Sequence, residues 1–575
     1  MNTFKLSVLL FKFINKKYFY LILFFSFLAT LLETVGLALI VPLLDLITGD
    51  QLNIFVKNFL SFFSFDIGNL KKNTLILYIF IFLIFFYFFK FIFTFIVILI
   101  HNKIIFYFKK EISKRLYKKY LYFELSHFSK IHTSSLVRNI TKEIDNCMGV
   151  LISTISFILE SMMVIGVTLV IIFYTPVSII PISFVFLVGW IYLHFTNKKV
   201  KIWGEERQVY DKKYLENIFN SLNGIKELKI FSSEKYFIKR FSSILTRLVD
   251  IMFKTSIVRA LPKHIFEFLG ILVISLSIIF NLYFNDNVDK VIPILGLFAA
   301  AAFRILPSAN KIVADISVLR FSYPSVDLIY KEILSIKDED ENKKIINISF
   351  KEKININELS FSYNNKEILQ NANISIDKGD FIGIKGESGS GKTTFANILV
   401  GLLKPTKGKI TIDNQNIIMN PNLFEGWKKI LAYVPQEVFL LRDTLKRNVA
   451  FGLEENKIDE NKVLRCLKQS VIDPKIVSDK DSLNGIISER GISISGGQKQ
   501  RIGIARSLYF DSEVIIFDES TSSLDDQTEN EIIKTIKEIS NFKTIIMISH
   551  RDSALKYCNK IFELKNKNFK LIYEK

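Results

Sequence analysis

The sequence predicts a membrane α-helical bundle of six spans, followed by an α/β phosphate-loop domain that binds a nucleotide. The first half of the chain consists mainly of long apolar runs with few charges. The second half alternates short apolar strands with helices and carries the pattern G-x-x-x-x-G-K-T at residues 386–393. Half of the 575 residues are apolar and 54 are Phe, a composition that favours a membrane protein.

Six apolar runs are long enough to cross a bilayer, for which a helix needs about 20 mostly apolar residues. They are residues 18–47, 75–100, 148–173, 177–195, 265–284 and 291–314. The polar stretches 101–147 and 196–262 are rich in Lys and Arg, so the positive-inside rule places them in the cytoplasm with the N-terminus. Because these stretches contain little Gly or Pro, we expect the spans to continue inward as long helices.

The character of the sequence changes near residue 335. Residues 337–353 are charged, and short strands alternating with helices follow them, as in an α/β domain. The sequence therefore predicts a transmembrane domain at 1–334, a linker at 335–352 and a nucleotide-binding domain at 353–575.

The formal net charge of +19 raises a nucleic-acid partner as an alternative. Many of the basic residues cluster beside the apolar runs, where the cytoplasmic flanks of membrane helices carry them. We therefore expect a lipid bilayer as partner and no nucleic acid. The three cysteines, Cys147, Cys466 and Cys558, are far apart and form neither a metal-binding spacing nor a disulfide framework.

The phosphate-loop pattern lies between a predicted strand at 381–384 and a predicted helix at 395–403. Backbone N–H groups of such a loop surround nucleotide phosphates, and the following helix N-terminus favours anions. Lys392 would reach the β- and γ-phosphates of ATP, and the Thr393 hydroxyl would bind Mg²⁺. The predicted nucleotide-binding residues here are Gly386, Glu387, Ser388, Gly389, Ser390, Gly391, Lys392, Thr393 and Thr394.

Two carboxylates end the apolar strand that begins at Val514. Asp518 at the strand end would hold Mg²⁺, and Glu519 would polarise the attacking water as general base. Such a pair alone is more often an ordinary strand end with solvated acids. Downstream of a phosphate loop in the same domain, it predicts ATP hydrolysis.

A third motif lies between these two elements in the sequence. Ser495, Gly496, Gly497 and Gln498, after Ile494, resemble the signature motif of ABC ATPases, which usually has Leu where this chain has Ile. Two glycines and a serine at a helix start make a second anion site. In that family this site binds the γ-phosphate held by the other subunit.

Further positions follow in the order of the same family. Tyr363 resembles the aromatic residue that stacks on adenine, and Gln436 resembles the glutamine that contacts Mg²⁺ and senses the membrane domain. Residues 488–491 resemble a loop that contacts the membrane domain, and Asp525 resembles an aspartate at the subunit boundary. His550 resembles the switch histidine that contacts the γ-phosphate. The resemblance covers residues 353–575.

Six spans followed by one nucleotide domain resemble half of an ABC exporter. Each nucleotide site of that family combines a phosphate loop from one subunit with a signature from the other. One chain supplies one of each, so the resemblance implies a homodimer of two copies that uses ATP and Mg²⁺. A heterodimer with a related half-transporter is the alternative.

Charges within spans are costly and are by default functional. Glu33 and Arg304 are the best candidates for lining a cavity. Together with residues 33–36, 41–42 and 302–310, they resemble bacterial flippases for lipid-linked oligosaccharides, which implies a bacterial inner membrane and a pyrophosphate-linked glycan as cargo. The alternative role for Arg304 is helix packing through an ion pair with Glu33 or Glu160.

The sequence leaves two other functions open. An exporter of the same architecture could carry a drug, a lipid or a peptide. A membrane ATPase that regulates another process, without transporting anything, is the alternative from a different class.

Overall fold

The structure is a computed structural model that describes residues 16–39, 72–128, 131–174, 179–284, 291–335, 345–363, 366–472, 483–487, 494–520 and 526–575. The chain divides into two compact units. The first comprises residues 1–123 and 129–338, and the second comprises residues 124–128 and 339–575.

All the regular secondary structure in the described residues of the first unit is helical. Its helices are α1 (Lys16–Ala38), α2 (Lys72–Leu121), α4 (Thr133–Arg138), α5 (Ile144–Tyr174), α6 (Ile179–Asn223), α7 (Ile225–Ile230), α8 (Glu234–Phe284), α9 (Val291–Phe321) and α10 (Tyr323–Leu334). A π-helical turn, Asn139–Glu143, joins α4 to α5. The short helix α3 (Leu125–Phe128) belongs to the second unit.

Three segments of the described residues are long and apolar enough to cross a membrane: Lys17–Gly36, Ile76–Leu121 and Thr133–Ile172. They overlap the first three predicted spans. The other three predicted spans fall on helices α6, α8 and α9. Residues 40–71 and 175–178, which include the end of the first predicted span and the start of the fourth, lie outside the described part of the chain.

The helices of the first unit are much longer than a bilayer requires. Helices α2, α6 and α8 contain 50, 45 and 51 residues. At about 1.5 Å per residue, α2 is about 75 Å long, whereas the hydrocarbon core is about 30 Å thick. The prediction that the spans continue as long helices through the Lys- and Arg-rich stretches is therefore confirmed.

Close helix contacts and buried ion pairs hold these extensions together. A Cβ atom on Gly204 of α6 would lie 2.2 Å from the backbone oxygen of Phe321 in α9, so only glycine allows this approach. The fully buried Glu143 carboxylate lies 3.4 Å from Arg138 Nε and 3.7 Å from Arg207 Nη2. Removing one partner of such a buried cluster would leave an uncompensated charge.

The second unit is an α/β domain with two sheets. Its strands are β1 (Lys353–Tyr363), β2 (Lys366–Asp377), β3 (Phe381–Lys385), β4 (Lys407–Ile412), β5 (Gln415–Asn416), β6 (Leu431–Val434), β7 (Val514–Asp518), β8 (Thr544–Ile548), β9 (Lys560–Lys565) and β10 (Asn568–Glu574). Its other helices are α11 (Lys392–Val400), α12 (Pro421–Ile430), α13 (Leu445–Val449), α14 (Glu460–Gln469), α15 (Gly496–Tyr509), α16 (Asp526–Ser540) and α17 (Asp552–Leu555).

The larger sheet positions the candidate site. Its strand order is β10-β9-β3-β8-β7-β6, and the smaller antiparallel sheet has the order β2-β1-β4-β5. Strands β7 and β8 are buried at every residue, as expected for parallel strands with both faces covered. Apolar clusters on both faces of the larger sheet form the core.

Two boundaries differ from the sequence prediction. The helix after the phosphate loop spans Lys392–Val400 rather than 395–403. It ends earlier because Gly401 takes a left-handed conformation (φ +81°), the usual stop signal at a helix C-terminus. Strand β3 spans Phe381–Lys385, one residue beyond the predicted end at residue 384.

Candidate active site

Four parallel strands bring the predicted site residues to one edge of the larger sheet. Strands β3, β8, β7 and β6 lie side by side in that order, and each neighbouring pair is parallel. Their carboxyl ends therefore share an edge. The phosphate loop follows β3, His550 follows β8, Glu519 follows β7 and Gln436 follows β6. Ligands of open α/β sheets bind at this edge.

The phosphate loop depends on two glycines in left-handed conformations. The φ angles of Gly389 and Gly391 are +80° and +111°, which side chains rarely allow. A Cβ atom on Gly391 would also lie 2.8 Å from the Ile368 side chain. Helix α11 begins at the next residue, so its unsatisfied N–H groups lie at the loop, where they favour an anion.

The interior of the loop holds a cation and an unpaired hydroxyl. The Lys392 side chain is 5% exposed, and its ammonium donates to the carbonyl oxygens of Gly386 and Glu387 at 2.9 Å each. Ser390 Oγ is buried and has no hydrogen-bond partner among the described residues. Because a buried hydroxyl without a partner is costly, this site suits a ligand rich in acceptor oxygens, such as a triphosphate.

Asp518 is held at the end of β7 by two hydroxyl groups. Thr393 Oγ1 donates to Asp518 Oδ1 at 3.4 Å, and the Tyr433 hydroxyl donates to Asp518 Oδ2 at 2.9 Å. Burial raises the pKa of Asp518. Burial, and then the neighbouring Asp518 carboxylate, raise the pKa of Tyr433. The sequence analysis missed Tyr433, whose only signal was its place on β6, three residues before Gln436.

Glu519 has an unusual backbone conformation for a residue with a side chain. Its φ is +45°, and its N–H donates to the Ile548 carbonyl at 2.9 Å. A strained backbone conformation of this kind persists only where the surrounding structure fixes it, and such residues are concentrated at functional sites. The conformation of Glu519 therefore indicates a functional role. Glu519 Oε1 lies 3.7 Å from Lys392 Nζ and 3.9 Å from His550 Nδ1. The predicted base is thus a neighbour of both the phosphate-loop lysine and the predicted switch histidine.

The remaining predicted site residues, of which Tyr363 ends β1 in the smaller sheet, are more exposed. Gln436 is exposed, and its backbone oxygen accepts from Gln500 Nε2 of α15 at 2.7 Å, a contact that the sequence did not indicate. The Tyr363 ring is 44% exposed and packs edge-on against Phe361, with centroids 4.9 Å apart. Thr394 lies in the first turn of α11 and is half-buried.

The signature residues form a helix start, as the sequence predicted. Ser495 caps α15: its Oγ accepts from the Gln498 N–H at 3.2 Å, and Gln498 Oε1 accepts from the Ser495 N–H at 2.9 Å. Gly496 and Gly497 are the first two helical residues, and neither has a side chain of its own beside its N–H group. Asp525 and residues 488–491 lie outside the described residues.

The two membrane residues singled out by the sequence form an ion pair in the first unit. Arg304 Nη2 of α9 lies 2.9 Å from Glu33 Oε1 of α1. Lys90 Nζ of α2 lies 3.1 Å from the same oxygen, and Arg304 Nε is buried with no hydrogen-bond partner among the described residues. The pairing with Glu33 is therefore present, while Glu160 pairs with Lys311 at 3.1 Å.

Most of the chain is similar in sequence to known proteins. The family "ABC transporter transmembrane region" matches residues 19–301, and the family "ABC transporter" matches residues 369–522. An export ATP-binding/permease protein described for Rickettsia bellii is 28% identical over 465 residues, which are 78% of each chain. An ATP-dependent lipid A-core flippase of Syntrophus aciditrophicus is 26% identical over 462 residues, 79% of this chain and 75% of the flippase.

A solved structure shares the fold of the whole chain. It is a bacterial Atm1-family ABC exporter with ATP bound, with a TM-score of 0.74 and 19% sequence identity. The match covers 97% of this chain and 94% of the exporter. At that identity the likeness concerns the fold.

Proposed function

Because this chain is an ABC exporter half-transporter and an ATP-hydrolysing translocase, we propose that it moves a lipid-linked oligosaccharide across a bacterial inner membrane. The observation that carries the proposal is the excess positive charge of the Glu33, Lys90 and Arg304 cluster between membrane-spanning helices. The wider statement, lipid export, is supported by relatives named lipid A-core flippases.

The charges of the Glu33, Lys90 and Arg304 cluster do not balance. One carboxylate faces two cations, and unbalanced charge among spans is expensive unless a counter-charge is present. The Nε of Arg304 has no hydrogen-bond partner among the described residues, so it could donate to an acceptor on the cargo. Guanidinium binds phosphate oxygens in pairs, so a phosphate or pyrophosphate headgroup suits the cluster.

An apolar cavity in the same unit supports a cargo with a hydrocarbon chain. The cavity has a volume of about 240 Å³ and lies among α5, α6, α8 and α9. Its walls are almost wholly apolar and include Trp190, Phe266 and Leu306. Leu306 is two positions from Arg304, so at about 100° per residue the cavity and the cation occupy different faces of α9.

For hydrolysis, each residue of the sheet edge has a distinct task. The loop N–H groups and Lys392 would bind the β- and γ-phosphates, and Tyr363 would stack on the adenine. Thr393, Gln436 and Asp518 would hold Mg²⁺, which neutralises phosphate charge when bound. Glu519 would take a proton from the attacking water, and His550 would donate to the γ-phosphate.

The site of one chain is completed by a second copy. The signature residues 495–498 are at a helix start of their own, and the contacts of Ser495 and Gln498 described above are with each other. In a head-to-tail homodimer they would complete the phosphate loop of the partner, with Asp525 at the boundary. The alternative is a heterodimer with a related half-transporter. Purification of the native complex would show which of the two partners is present.

The proposal is tested by ATP-dependent translocation in proteoliposomes. The assay compares a polyprenyl-pyrophosphate oligosaccharide with a phospholipid, a lipid A-core glycolipid and a hydrophobic drug. Faster translocation of the oligosaccharide lipid than of the others supports the proposal. Faster translocation of another cargo would contradict the proposal and indicate an exporter of that cargo. ATPase activity without movement of any cargo would indicate a regulator.

Replacing Tyr433 with Phe should weaken magnesium-dependent hydrolysis without abolishing it. The change removes the hydrogen bond to Asp518 Oδ2 and leaves that buried oxygen short of a donor. A hydrogen bond to a charged group contributes about 1.5–3 kcal/mol, so we expect about a tenfold higher Mg²⁺ requirement at saturating ATP. A titration of ATPase rate against Mg²⁺ measures this, with Tyr557→Phe in the same unit as control. An unchanged requirement would contradict a role for Tyr433 at the metal.

A further inference from the structure

A buried carboxylate outside the described site holds the turn that carries His550. Glu529, in the first turn of α16, is 3% exposed. Its Oε2 accepts from Arg551 Nη1 at 2.5 Å, and its Oε1 accepts from Ser553 Oγ at 3.2 Å. Both partners lie within three residues after His550, so both carboxylate oxygens bind one short segment.

The other side of this segment is anchored to the sheet. The Ser549 N–H donates to the Ile384 carbonyl of β3 at 3.1 Å, and the Arg551 N–H donates to Ser549 Oγ at 3.1 Å. The His550 side chain itself is 54% exposed and lies 3.9 Å from Glu519 Oε1. Because little packing surrounds that imidazole, its position depends on the backbone that these anchors hold.

We propose that Glu529 is a positioning residue for ATP hydrolysis, which holds the His550 imidazole beside Glu519 by fixing residues 549–553. Charge-assisted hydrogen bonds with both oxygens engaged give the segment one defined geometry. In the sequence, Glu529 lies four residues after Asp525, which is the residue predicted for the subunit boundary. This inference concerns hydrolysis and holds whichever cargo is carried.

The test is steady-state ATP hydrolysis by the full-length protein. Glu529→Ala should lower kcat between about 10-fold and 100-fold, the range that a small misplacement of a catalytic group produces. The KM for ATP should change by less than about twofold, because the phosphate loop is untouched. Ser553→Ala should lower kcat less, since Arg551 remains bound. Glu538→Ala, on the exposed face of the same helix, is the matched control.

A double-mutant cycle distinguishes positioning from general support of the fold. In the background of His550→Ala, adding Glu529→Ala should cause no further loss of kcat, because the group that Glu529 positions is already gone. Losses that multiply in that background would overturn the proposal, as would a higher KM with unchanged kcat.

Folding is checked independently by thermal unfolding of each variant. If Glu529→Ala does not yield folded protein, Glu529→Gln keeps the side-chain shape and an acceptor for Arg551 while removing the charge. Glu529→Gln and Ser553→Ala are then each expected to lower kcat at least about threefold. Neither substitution should lower kcat further when it is added to His550→Ala. An unchanged kcat in both variants would contradict the proposal.

Discussion

Glu519→Gln should abolish most ATP turnover while leaving ATP binding intact. The amide keeps the size of the side chain but cannot take a proton from water. Loss of a general base costs between about 10²-fold and 10⁴-fold in rate, and we expect a loss within that range in kcat. The phosphate loop and Lys392 do not change, so the dissociation constant for ATP, measured with a fluorescent analogue, should stay within about threefold.

Glu513→Gln is the control for this variant. Glu513 lies directly before β7, at the opposite end of the strand, and pairs with Lys378 at 3.3 Å. It has the same residue type as Glu519 and flanks the same strand, but it lies away from the site, so the kcat of Glu513→Gln should match that of the native protein. Turnover by Glu519→Gln close to the native value would remove Glu519 from the role of base.

Arg304→Ala should stop lipid translocation while basal ATP hydrolysis persists. The substitution removes a cation of the headgroup site but leaves Glu33 paired with Lys90, so no buried charge loses its last partner. Since hydrogen bonds to charged groups contribute about 1.5–3 kcal/mol, we expect flipping to fall at least about tenfold. Basal ATPase activity in proteoliposomes should stay within about twofold, because the nucleotide site lies in the other unit.

Lys311→Ala provides a matched control on the same helix. Lys311 also pairs with a carboxylate, that of Glu160, but its side chain is 56% exposed. Its removal should leave both flipping and hydrolysis near native values. Native flipping by Arg304→Ala would remove this arginine from cargo handling, whereas equal losses in both variants would indicate a general effect of charge in α9.

The edge of the larger sheet could be predicted well from the sequence because its motifs follow apolar strands. Parallel strands place their carboxyl ends together, so residues after β3, β7 and β8 had to become neighbours once the strands paired. The positions of Lys392 and His550, each within 4 Å of the Glu519 carboxylate, follow from that topology. The fold of the membrane unit was equally predictable, because length and apolarity decide which segments span a bilayer.

Contacts between side chains distant in the chain could not be predicted in the same way. Lys90 pairs with Glu33 across 57 positions, and this depends on how α1 and α2 rotate against each other. The hydrogen bond from Arg551 to Glu529 likewise depends on how α16 packs beside the turn after β8. Apolar periodicity specifies which face is buried but not which polar groups meet within it.

Hydrolysis by mixed dimers tests most directly whether two copies share each ATP site. One chain carries Lys392→Ala, and the other carries Ser495→Asp, which keeps a good helix cap but repels a phosphate. Neither variant should hydrolyse ATP alone. Differently tagged chains purified as a mixed dimer should recover up to about half of the native rate, because a symmetric head-to-tail pair retains one intact site. A mixed dimer as inactive as both parents would contradict a site shared between two copies of this chain.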